Sequence, residues 1–288
     1  MKPEGEKITL RQLLAEGQSA LSGEDAQLEA WLLLESVFSL DRAAFWLRCD
    51  EAASPEGCRQ YRQRIARRQA GEPVAYILEK WEFMGLPFRV SSAVLIPRPD
   101  TETLVEEVLA WAGNRPLHVL YLCTGSGCIA VSLAKYLPQA CVDAADISPE
   151  AINIAGGNAA LNQVTISVYQ GDLWEAVPAG RQYDVITANP PYIDEEEMKQ
   201  LSRDVREYEP RLALDGGADG LTFYRRLAAE SGRFLKPAGR ALWEIGYRQA
   251  AAVTELARHG GRGGVAFKKD LAGHDRVVIV ERGKNHGR

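Results

Sequence analysis

Residues 117–137 read LHVLYLCTGSGCIAVSLAKYL, and this stretch decides the fold class. An apolar run ends at Leu122, a turn with two glycines occupies residues 123–127, and an apolar helical pattern follows. A glycine turn between a parallel strand and a helix lets a ligand approach bare backbone near the helix N-terminus. A Gly-x-Gly turn also occurs without a ligand, so this motif by itself leaves both interpretations open.

The pattern around this stretch predicts a parallel sheet. Beyond residue 103 the apolar runs ACVDAAD, TISVYQ, YDVITAN and RALWEIG are separated by helical segments. Such alternation is typical of parallel strands with crossover helices. The late pair GVAFKKD and DRVVIVER predicts an antiparallel hairpin appended to that sheet. We therefore predict an α/β fold with a Rossmann-like domain.

The first eighty residues show helical signals only. Thr9 and Gln12 form a capping-box pattern, Ser54 followed by Pro55 predicts a helix start, and Gly71 predicts the end of that helix. Two short runs, WEFMGLPFRV and SAVLIPRPDTE, then predict a β-hairpin linker. We predict an all-helical domain over 1–80, a linker over 81–102 and the α/β domain over 103–288.

Composition limits the functional classes. The 288 residues carry a formal net charge of -5, which argues against binding to nucleic acid through bulk charge. No apolar stretch approaches the roughly 20 residues that span a bilayer, and MKPEGEKITL is not a signal peptide. The five cysteines form no CxxC pair, and the four histidines have no metal-ligand spacing. We expect a cytoplasmic protein with reduced thiols and without a metal site.

Two acids follow the second and third predicted strands. Asp146 comes about twenty residues after the glycine turn, where an acid can accept both hydroxyls of a ribose. The alternative for Asp146 is an ordinary helix N-cap, although Ser148 can also fill that role. Asp172 follows the third strand and is expected beside an adenine amino group, unless it is a solvated loop acid. Together with the glycine turn, Asp146 favours a nucleoside cofactor.

The fourth strand ends in Asn189-Pro190-Pro191-Tyr192, at a predicted topological switch point. Two prolines stop a strand abruptly, so a rigid turn is one interpretation. The functional interpretation is a site for a planar NH2 group. The Asn189 oxygen and the Pro190 carbonyl can accept both N–H hydrogens, and Tyr192 offers a flat face. The matching methyl donor is S-adenosylmethionine, which requires neither a metal nor a covalent enzyme intermediate.

The chain resembles the peptide-chain-release-factor glutamine-N5 methyltransferases along nearly its whole length. The stretches that carry the resemblance are ARRQAGEPVAYIL, WEFMGLPFRVSSAVLIPRPDTETLVEEVL, LCTGSGCIAVSLA, ANPPYI, YEPRLALDGGADGLTFYRRL, EIGYRQ and KKDLAGHDRVV. The resemblance implies a class I methyltransferase domain that follows a helical substrate-docking domain and a hairpin linker. It also implies methylation of the glutamine side chain in the Gly-Gly-Gln motif of bacterial class 1 release factors.

The resemblance also implies roles for individual residues. S-adenosylmethionine, which leaves as S-adenosylhomocysteine, is expected to bind Cys123, Thr124, Gly125, Ser126, Gly127, Asp146, Asp172, Leu173 and Asn189. The substrate glutamine is expected to contact Asn189, Pro190, Pro191, Tyr192, Arg98 and Glu102, with Asn189, Pro190 and Tyr192 as the catalytic residues; Asp100 belongs to the same linker motif. The implied partners are release factors 1 and 2. We expect a monomer that neither recognises a specific nucleic-acid sequence nor binds a membrane.

Three positions depart from the family pattern. Tyr121 occupies the place of an acid that helps to organise the cofactor loop and the methionine end of the cofactor. Gly156 and Gly157 replace a polar, helix-favouring pair, and Glu79 replaces a glycine. We predict that Tyr121→Asp tightens cofactor binding.

Two other functions share some of these features. Adenine-N6 methyltransferases of nucleic acids use the same tetrapeptide, but the net acidity and the lack of a broad basic target-recognition domain argue against that class. A cofactor-binding regulator without catalysis is the third hypothesis: the departure at Tyr121 keeps it open, whereas the intact Asn189-Pro190-Pro191-Tyr192 argues against it. A basic face formed by Arg59, Arg62, Arg64, Arg67 and Arg68 is either solvated surface or a docking surface for the release factor.

Overall fold

The computed structural model describes residues 8–259 and 264–282. The helices in these ranges are α1 (Leu10–Ala20), α2 (Ala26–Phe38), α3 (Arg42–Arg48), α4 (Pro55–Gln69), α5 (Val74–Leu78), α6 (Glu102–Ala112), α7 (Cys128–Tyr136), α8 (Pro149–Leu161), α9 (Glu195–Gln200), α10 (Arg203–Tyr208), α11 (Thr222–Phe234) and α12 (Ala250–His259). The strands are β1 (Lys80–Phe83), β2 (Leu86–Arg89), β3 (His118–Leu122), β4 (Cys141–Asp146), β5 (Ser167–Gln170), β6 (Tyr183–Ala188), β7 (Leu235–Glu244), β8 (Val265–Lys269) and β9 (Asp275–Glu281). Short 3-10 helices occupy Pro99–Thr101, Leu173–Ala176 and Arg211–Ala213.

The chain divides into two compact units. Within the described residues, the helical unit comprises 8–79 together with Arg203–Tyr208. The α/β unit comprises Lys80–Ser202 and the described residues from Glu209 onward. The predicted hairpin linker therefore belongs to the α/β unit, because its contacts are with that unit.

Local signals in the helical unit form as the sequence predicts. The Gln12 backbone N–H donates to the Thr9 hydroxyl at 3.2 Å, and the Thr9 N–H donates to the Gln12 side chain at 2.9 Å, which confirms the capping box. Ser54 caps α4 by accepting the Gly57 N–H at 3.1 Å, with Pro55 as the first helical residue. Gly71 follows α4 with φ +104°, as its predicted role at the helix end requires.

The arginine face of α4 is largely neutralised within the helical unit. Four of its five arginines form ion pairs with glutamates, and the fifth, Arg64, donates to the Ser36 hydroxyl. The pairs are Arg59 with Glu56, Arg62 with Glu16, Arg67 with Glu72 and Arg68 with Glu29. This pairing favours a structural role for these arginines over a free basic docking surface.

The hairpin is shorter than the predicted linker and lies earlier in the chain. Strands β1 and β2 pair antiparallel, with Trp81 opposite Phe88, and the turn lies at Met84 and Gly85. The second apolar run, around SAVLIPRP, forms no strand, so the prediction that it contributes to the hairpin was wrong. Pro97 and Pro99 explain the difference, because proline provides no N–H for a ladder.

The seven-stranded sheet has the order β5-β4-β3-β6-β7-β9-β8. Strands β5, β4, β3, β6 and β7 pair in parallel, while β9 pairs antiparallel with both β7 and β8. This arrangement confirms the predicted parallel sheet with an appended hairpin. The chain runs outward from β3 through β4 to β5 and then returns to the other side of β3 as β6. The topological switch point is therefore the carboxyl edge between β3 and β6.

Apolar residues on the central strands face both sides of the sheet. In β3, Val119 and Tyr121 pack in the core that includes residues of α6, α7 and α8. Leu120 and Leu122 pack in the opposite core, which includes residues of α11 and α12. Because side chains alternate along a strand, a continuous apolar strand fits between two helical layers. Helices therefore cover both faces, and the carboxyl edge of the sheet is the place for a site.

Candidate active site

Three functional stretches begin at the same edge of the sheet. Leu122 pairs with Ala188, and Ala188 pairs with Trp243 on the next strand. One residue further along each strand stand Cys123, Asn189 and Glu244. A cavity of about 430 Å³ opens at this edge, and all residues that line it belong to the α/β unit.

The glycine loop exposes backbone to this cavity. Gly125 has φ +52°, and a Cβ at this position would meet no atom within 4 Å, so the loop leaves open space at Gly125. Gly127 has a different role, because a Cβ there would lie 2.9 Å from the Ala155 side chain and 3.0 Å from its Cα. Gly127 thus permits close packing between the start of α7 and α8, whereas Gly125 permits ligand approach.

Two further features show that the loop fits a polar ligand. Thr124 lines the cavity with a buried hydroxyl that has no hydrogen-bond partner among the described residues. Such groups are rare in folded proteins and indicate a missing partner. Cys123 adopts a left-handed backbone conformation with φ +58°. This conformation is energetically unfavourable for residues other than glycine, and it is found most often at functional sites. Burial raises the pKa of the Cys123 thiol, which argues for packing rather than nucleophilic chemistry.

Asp146 ends β4 and holds the glycine loop. One carboxylate oxygen accepts the Gly125 N–H at 2.8 Å, and the other accepts the Ser148 N–H at 3.0 Å. Burial raises the pKa of Asp146, while these backbone donors oppose that change. A carboxylate has about four acceptor sites, so Asp146 keeps capacity for two hydroxyl donors. The helix after it is capped by Ser148, which accepts the Ala151 N–H at 3.2 Å.

The outer part of the cavity combines a charged pair with apolar side chains. Asp172 forms an ion pair with Arg226 at 2.9 Å, and both residues line the cavity. Leu173 has φ +51° and also lines it, as does Ile147, which is 48% exposed. Two apolar side chains near an acid suit a flat heterocycle with an exocyclic amino group.

Asn189 lines the same cavity directly after β6. Its amide nitrogen donates to the Thr101 hydroxyl across 3.5 Å, a long hydrogen bond. Pro191 lines the cavity as well, whereas Pro190 and Tyr192 are not part of its lining. Asn189 and Pro191 are therefore the residues of this tetrapeptide that the structure places against the cavity, and Asn189 is the one of the two with a polar side chain.

The backbone of Tyr192 is clamped from two sides. The Gln249 side chain donates to the Tyr192 carbonyl at 2.9 Å and accepts the Gly246 N–H at 3.0 Å. A Cβ at Gly216 would lie 2.7 Å from the Tyr192 Cα, so only glycine permits this approach. The stretches ANPPYI, ALDGGADG and EIGYRQ, which are distant in sequence, therefore fix one loop together.

The structure brings most of the predicted site residues to one cavity. The residues that line it are Arg98, Cys123, Thr124, Gly125, Ser126, Asp146, Asp172, Leu173, Asn189 and Pro191. Gly127, Pro190, Tyr192 and Glu102 do not line it. The Glu102 carboxylate instead accepts the Met84 N–H at 2.6 Å and so holds the turn of the hairpin.

Several residues at the site were not predicted. Arg226 and Ile147 line the cavity, Thr101 contacts Asn189, and Glu244 is a buried acid at the end of the strand next to Asn189. A signal for Glu244 existed, because an acid at the end of an apolar strand beside the switch point is an unusual arrangement. Arg226 has no comparable signal, since its position depends on the packing of α11.

Comparison with known proteins agrees with this geometry. Residues 12–78 match the family described as PrmC N-terminal domain, and residues 100–218 match the Methyltransferase small domain. A release factor glutamine methyltransferase from Clostridium acetobutylicum is 40% identical over 287 residues, which cover 98% of this chain and 99% of that protein. One from Geobacter sulfurreducens is 42% identical and covers 94% and 95% of the two chains. The chain belongs to the release factor glutamine methyltransferase family.

A solved structure shows the fold independently. A methyltransferase from Pyrococcus furiosus superposes with a TM-score of 0.54 at 18% identity, over 77% of this chain and 98% of that one. The predicted Rossmann-like methyltransferase fold is therefore confirmed. Within the described residues, no helix is long and apolar enough to cross a bilayer.

The three departures from the family pattern have distinct structural settings. Tyr121 is buried and lines the cavity, and burial raises the pKa of its phenol. Gly156 and Gly157 lie inside α8, where a Cβ at either position would meet no atom within 4 Å. Glu79 ends α5 in a left-handed conformation with φ 56°, a backbone that favours the glycine that the resemblance implies at this position.

Proposed function

We propose that this protein transfers a methyl group from S-adenosylmethionine to the side-chain amide nitrogen of the glutamine in the Gly-Gly-Gln motif of release factors 1 and 2. The observation that supports this most strongly is the position of Asn189. Asn189 lines the same cavity as Thr124, Gly125 and Asp146, in a chain of the release factor glutamine methyltransferase family. We further propose that the protein acts in the cytoplasm as a monomer.

The cofactor half of the site is formed by the loop after β3 and the ends of β4 and β5. Asp146 would accept the ribose hydroxyls, and the Thr124 hydroxyl would find its partner in the ligand. Asp172 would accept from the adenine amino group, with Leu173 and Ile147 against the ring. S-adenosylmethionine supplies a methyl group that is already activated by the positive charge on sulfur. Gly127 would shape this half without direct contact, because it packs against α8.

The substrate half of the site addresses a weak nucleophile. The lone pair of an amide nitrogen is delocalised into the carbonyl group, so the site must hold and orient the NH2 group for attack. We propose that the Asn189 side-chain oxygen and the Pro190 carbonyl accept its two hydrogens. Pro191 keeps the backbone rigid, Tyr192 presents a flat face, and Arg98 contacts the substrate at the cavity wall. After transfer, the product nitrogen releases its surplus proton to water.

The division of labour between the units is a further part of the proposal. Residues 1–80 would bind the release factor, residues 81–102 would link the two domains, and residues 103–288 would catalyse the methyl transfer. Exposed apolar side chains on the helical unit support a docking role, because Trp46 is 65% exposed and Leu47 86% exposed. Glu102 would hold the hairpin turn in the linker, through its contact with the Met84 N–H.

A transfer assay tests the function. The protein is incubated with labelled methyl donor and, in separate reactions, with a full-length release factor, with its Gly-Gly-Ala variant, with DNA and with RNA. We expect label in the wild-type factor alone, localised to the glutamine by mass spectrometry. Label in nucleic acid would favour adenine-N6 methylation, and label nowhere would favour a non-catalytic regulator.

Two variants connect the result to the site. Asn189→Ala should reduce transfer by at least about 100-fold, because it removes a group that orients the nucleophile. Asn153→Ala is the matched control, since Asn153 is an exposed asparagine on α8 in the same unit. Equal activity of both variants would contradict the proposed role of Asn189.

A further inference from the structure

The Thr101 hydroxyl connects Asn189 to a buried acid. Thr101 is 2% exposed and accepts a hydrogen bond from the Asn189 side-chain nitrogen at 3.5 Å. The Glu244 carboxyl, which is also 2% exposed, lies near enough to the same hydroxyl for a hydrogen bond with Thr101 to lower the pKa of Glu244. The Glu244 oxygen Oε2 is buried and has no hydrogen-bond partner among the described residues.

The chemistry of these groups decides which one donates and which one accepts in each hydrogen bond. A hydroxyl has a single hydrogen, and an ionised carboxylate only accepts. Thr101 must therefore donate to Glu244, and its oxygen remains free to accept from an N–H. The NH2 end of Asn189 satisfies that requirement, so the oxygen end points the other way. An asparagine oxygen directed at the cavity is the orientation that accepts from a substrate NH2 group.

We propose that Thr101 and Glu244 are positioning residues that fix the side-chain amide of Asn189 with its oxygen towards the substrate. The inference rests on the proposed function for its catalytic consequence, whereas the orientation itself is a property of the protein alone. Without the pair, the amide can rotate by half a turn and present two N–H donors to the substrate NH2 group. A donor facing a donor does not bind, so the flipped form is inactive.

The protonation state of Glu244 controls this orientation. Burial raises the pKa of Glu244 to about 7, and the Thr101 hydrogen bond acts in the opposite direction. Other ionisable groups that interact with the carboxyl are Arg98, Asp100, Tyr121, Cys128, Tyr192, Tyr224 and Arg276. Burial raises the pKa of the three tyrosines and of Cys128, so these groups stay neutral near pH 7.

Protonated Glu244 can itself donate to Thr101. The Thr101 hydrogen is then free to approach the Asn189 oxygen, which favours the flipped amide. We therefore expect the active orientation above about pH 7 and its loss below that value, with one proton involved.

The experiment follows the Asn189 side-chain amide by NMR and the methyl transfer rate between pH 5.5 and 9. The variants are Thr101→Val, Thr101→Ser and Glu244→Gln, and Asn189→Ala assigns the amide signal by its loss. Thr254→Val is the control, because Thr254 is a buried threonine on α12 whose hydroxyl donates to the Ala250 carbonyl of its own helix. Calorimetric binding of S-adenosylmethionine reports whether each variant retains a folded site.

In the Thr101→Val variant, the Asn189 side-chain amide protons should exchange at least tenfold faster than in the wild type, and kcat should be at least tenfold lower. Its affinity for S-adenosylmethionine should stay within twofold of the wild-type value. Thr101→Ser should restore both readouts. The wild-type signal should titrate near pH 7, together with the rate, and Glu244→Gln should abolish that titration because glutamine does not ionise. Thr254→Val should match the wild type.

The inference is wrong if Thr101→Val leaves the amide signal and its titration unchanged, or if Thr101→Ser loses as much as Thr101→Val. A wild type that methylates no release factor would contradict the proposed function instead. The NMR titration would still decide the orientation in that case, because it needs no substrate.

Discussion

The Arg98 guanidinium lies 2.5 Å from the Glu209 carboxylate, whose side chain is only 1% exposed. This ion pair joins two stretches that are 111 residues apart in the sequence, IPRPDTE and YEPRLALDGG. The two stretches are the ones that distinguish the release-factor branch from the adenine methyltransferases by resemblance. Arg98 lines the cavity, so the pair connects a branch-specific loop to the wall of the site.

Arg98→Ala should destabilise the protein by about 2–3 kcal/mol, because the carboxylate of Glu209 keeps its burial cost and loses an ionic partner. Urea unfolding measures the change. The double variant Arg98→Ala/Glu209→Gln should recover more than half of the loss, since it removes the buried charge. Arg225→Ala is the control: its pair with Asp219 is 49% exposed on both sides and should contribute less than about 1 kcal/mol.

Tyr121→Asp should tighten S-adenosylmethionine binding by roughly tenfold, about 1.4 kcal/mol. The resemblance implies an acid at this cavity-lining position, and a carboxylate can accept from the amino group of the methionine end. Isothermal titration calorimetry measures the affinity. Tyr121→Phe separates the loss of the phenol oxygen from the gain of the acid. Equal or weaker binding by Tyr121→Asp would contradict the prediction.

Glu79→Gly should stabilise the protein by about 1 kcal/mol, because a left-handed backbone costs a residue with a Cβ roughly 1–2 kcal/mol. The φ of 56° at Glu79 is the relevant observation. Glu79→Ala removes the same charge but keeps the Cβ, so it should show no gain. A shift of the urea midpoint that is the same in both variants would assign the effect to charge instead.

Gly156→Ala and Gly157→Ala should each stabilise the protein by about 1 kcal/mol through helix propensity. Neither glycine has a positive φ, and a Cβ at either position has open space. Gly127→Ala is the contrasting variant. Position 127 has φ +80°, and a Cβ there would clash with Ala155, so Gly127→Ala should destabilise the protein. Thermal unfolding of all three variants measures these changes.

Glu244→Gln should change the pH dependence of stability. Burial raises the pKa of Glu244 from 4.5 to about 7, so the folded protein binds this proton more tightly than the unfolded chain does. The wild type therefore loses stability as pH rises from about 4.5 to about 7, by roughly 2–3 kcal/mol from this group. The variant should lack that loss when urea unfolding is compared at pH 5 and pH 8. Glu255→Gln, an exposed position on α12, should behave like the wild type.

The central part of the fold and much of the site followed from local patterns. The run into residues 123–127 predicted the strand, the loop and α7, because alternation between apolar strands and helices is encoded within short windows. Asp146 and Asn189 could be predicted as site residues because parallel strands deliver their carboxyl ends to one edge. The hairpin was misplaced where two prolines interrupt an apolar run. The expected contact between Glu102 and the substrate stays a prediction, whereas the contact of Glu102 with the Met84 N–H had no signal in the sequence.

The sequence by itself determined the α/β fold, the residues at the ends of its strands and the family to which the chain belongs. Only the tertiary structure decided which of those residues face one another. The contacts of Thr101 with Asn189 and Glu244 join positions 88 and 143 residues apart, and the contact of Arg98 with Glu209 joins positions 111 residues apart. Such pairs have no local signature, because strand order and helix packing bring them together after the periodicities have been satisfied. The same holds for the pKa of Glu244, which depends on burial among these neighbours.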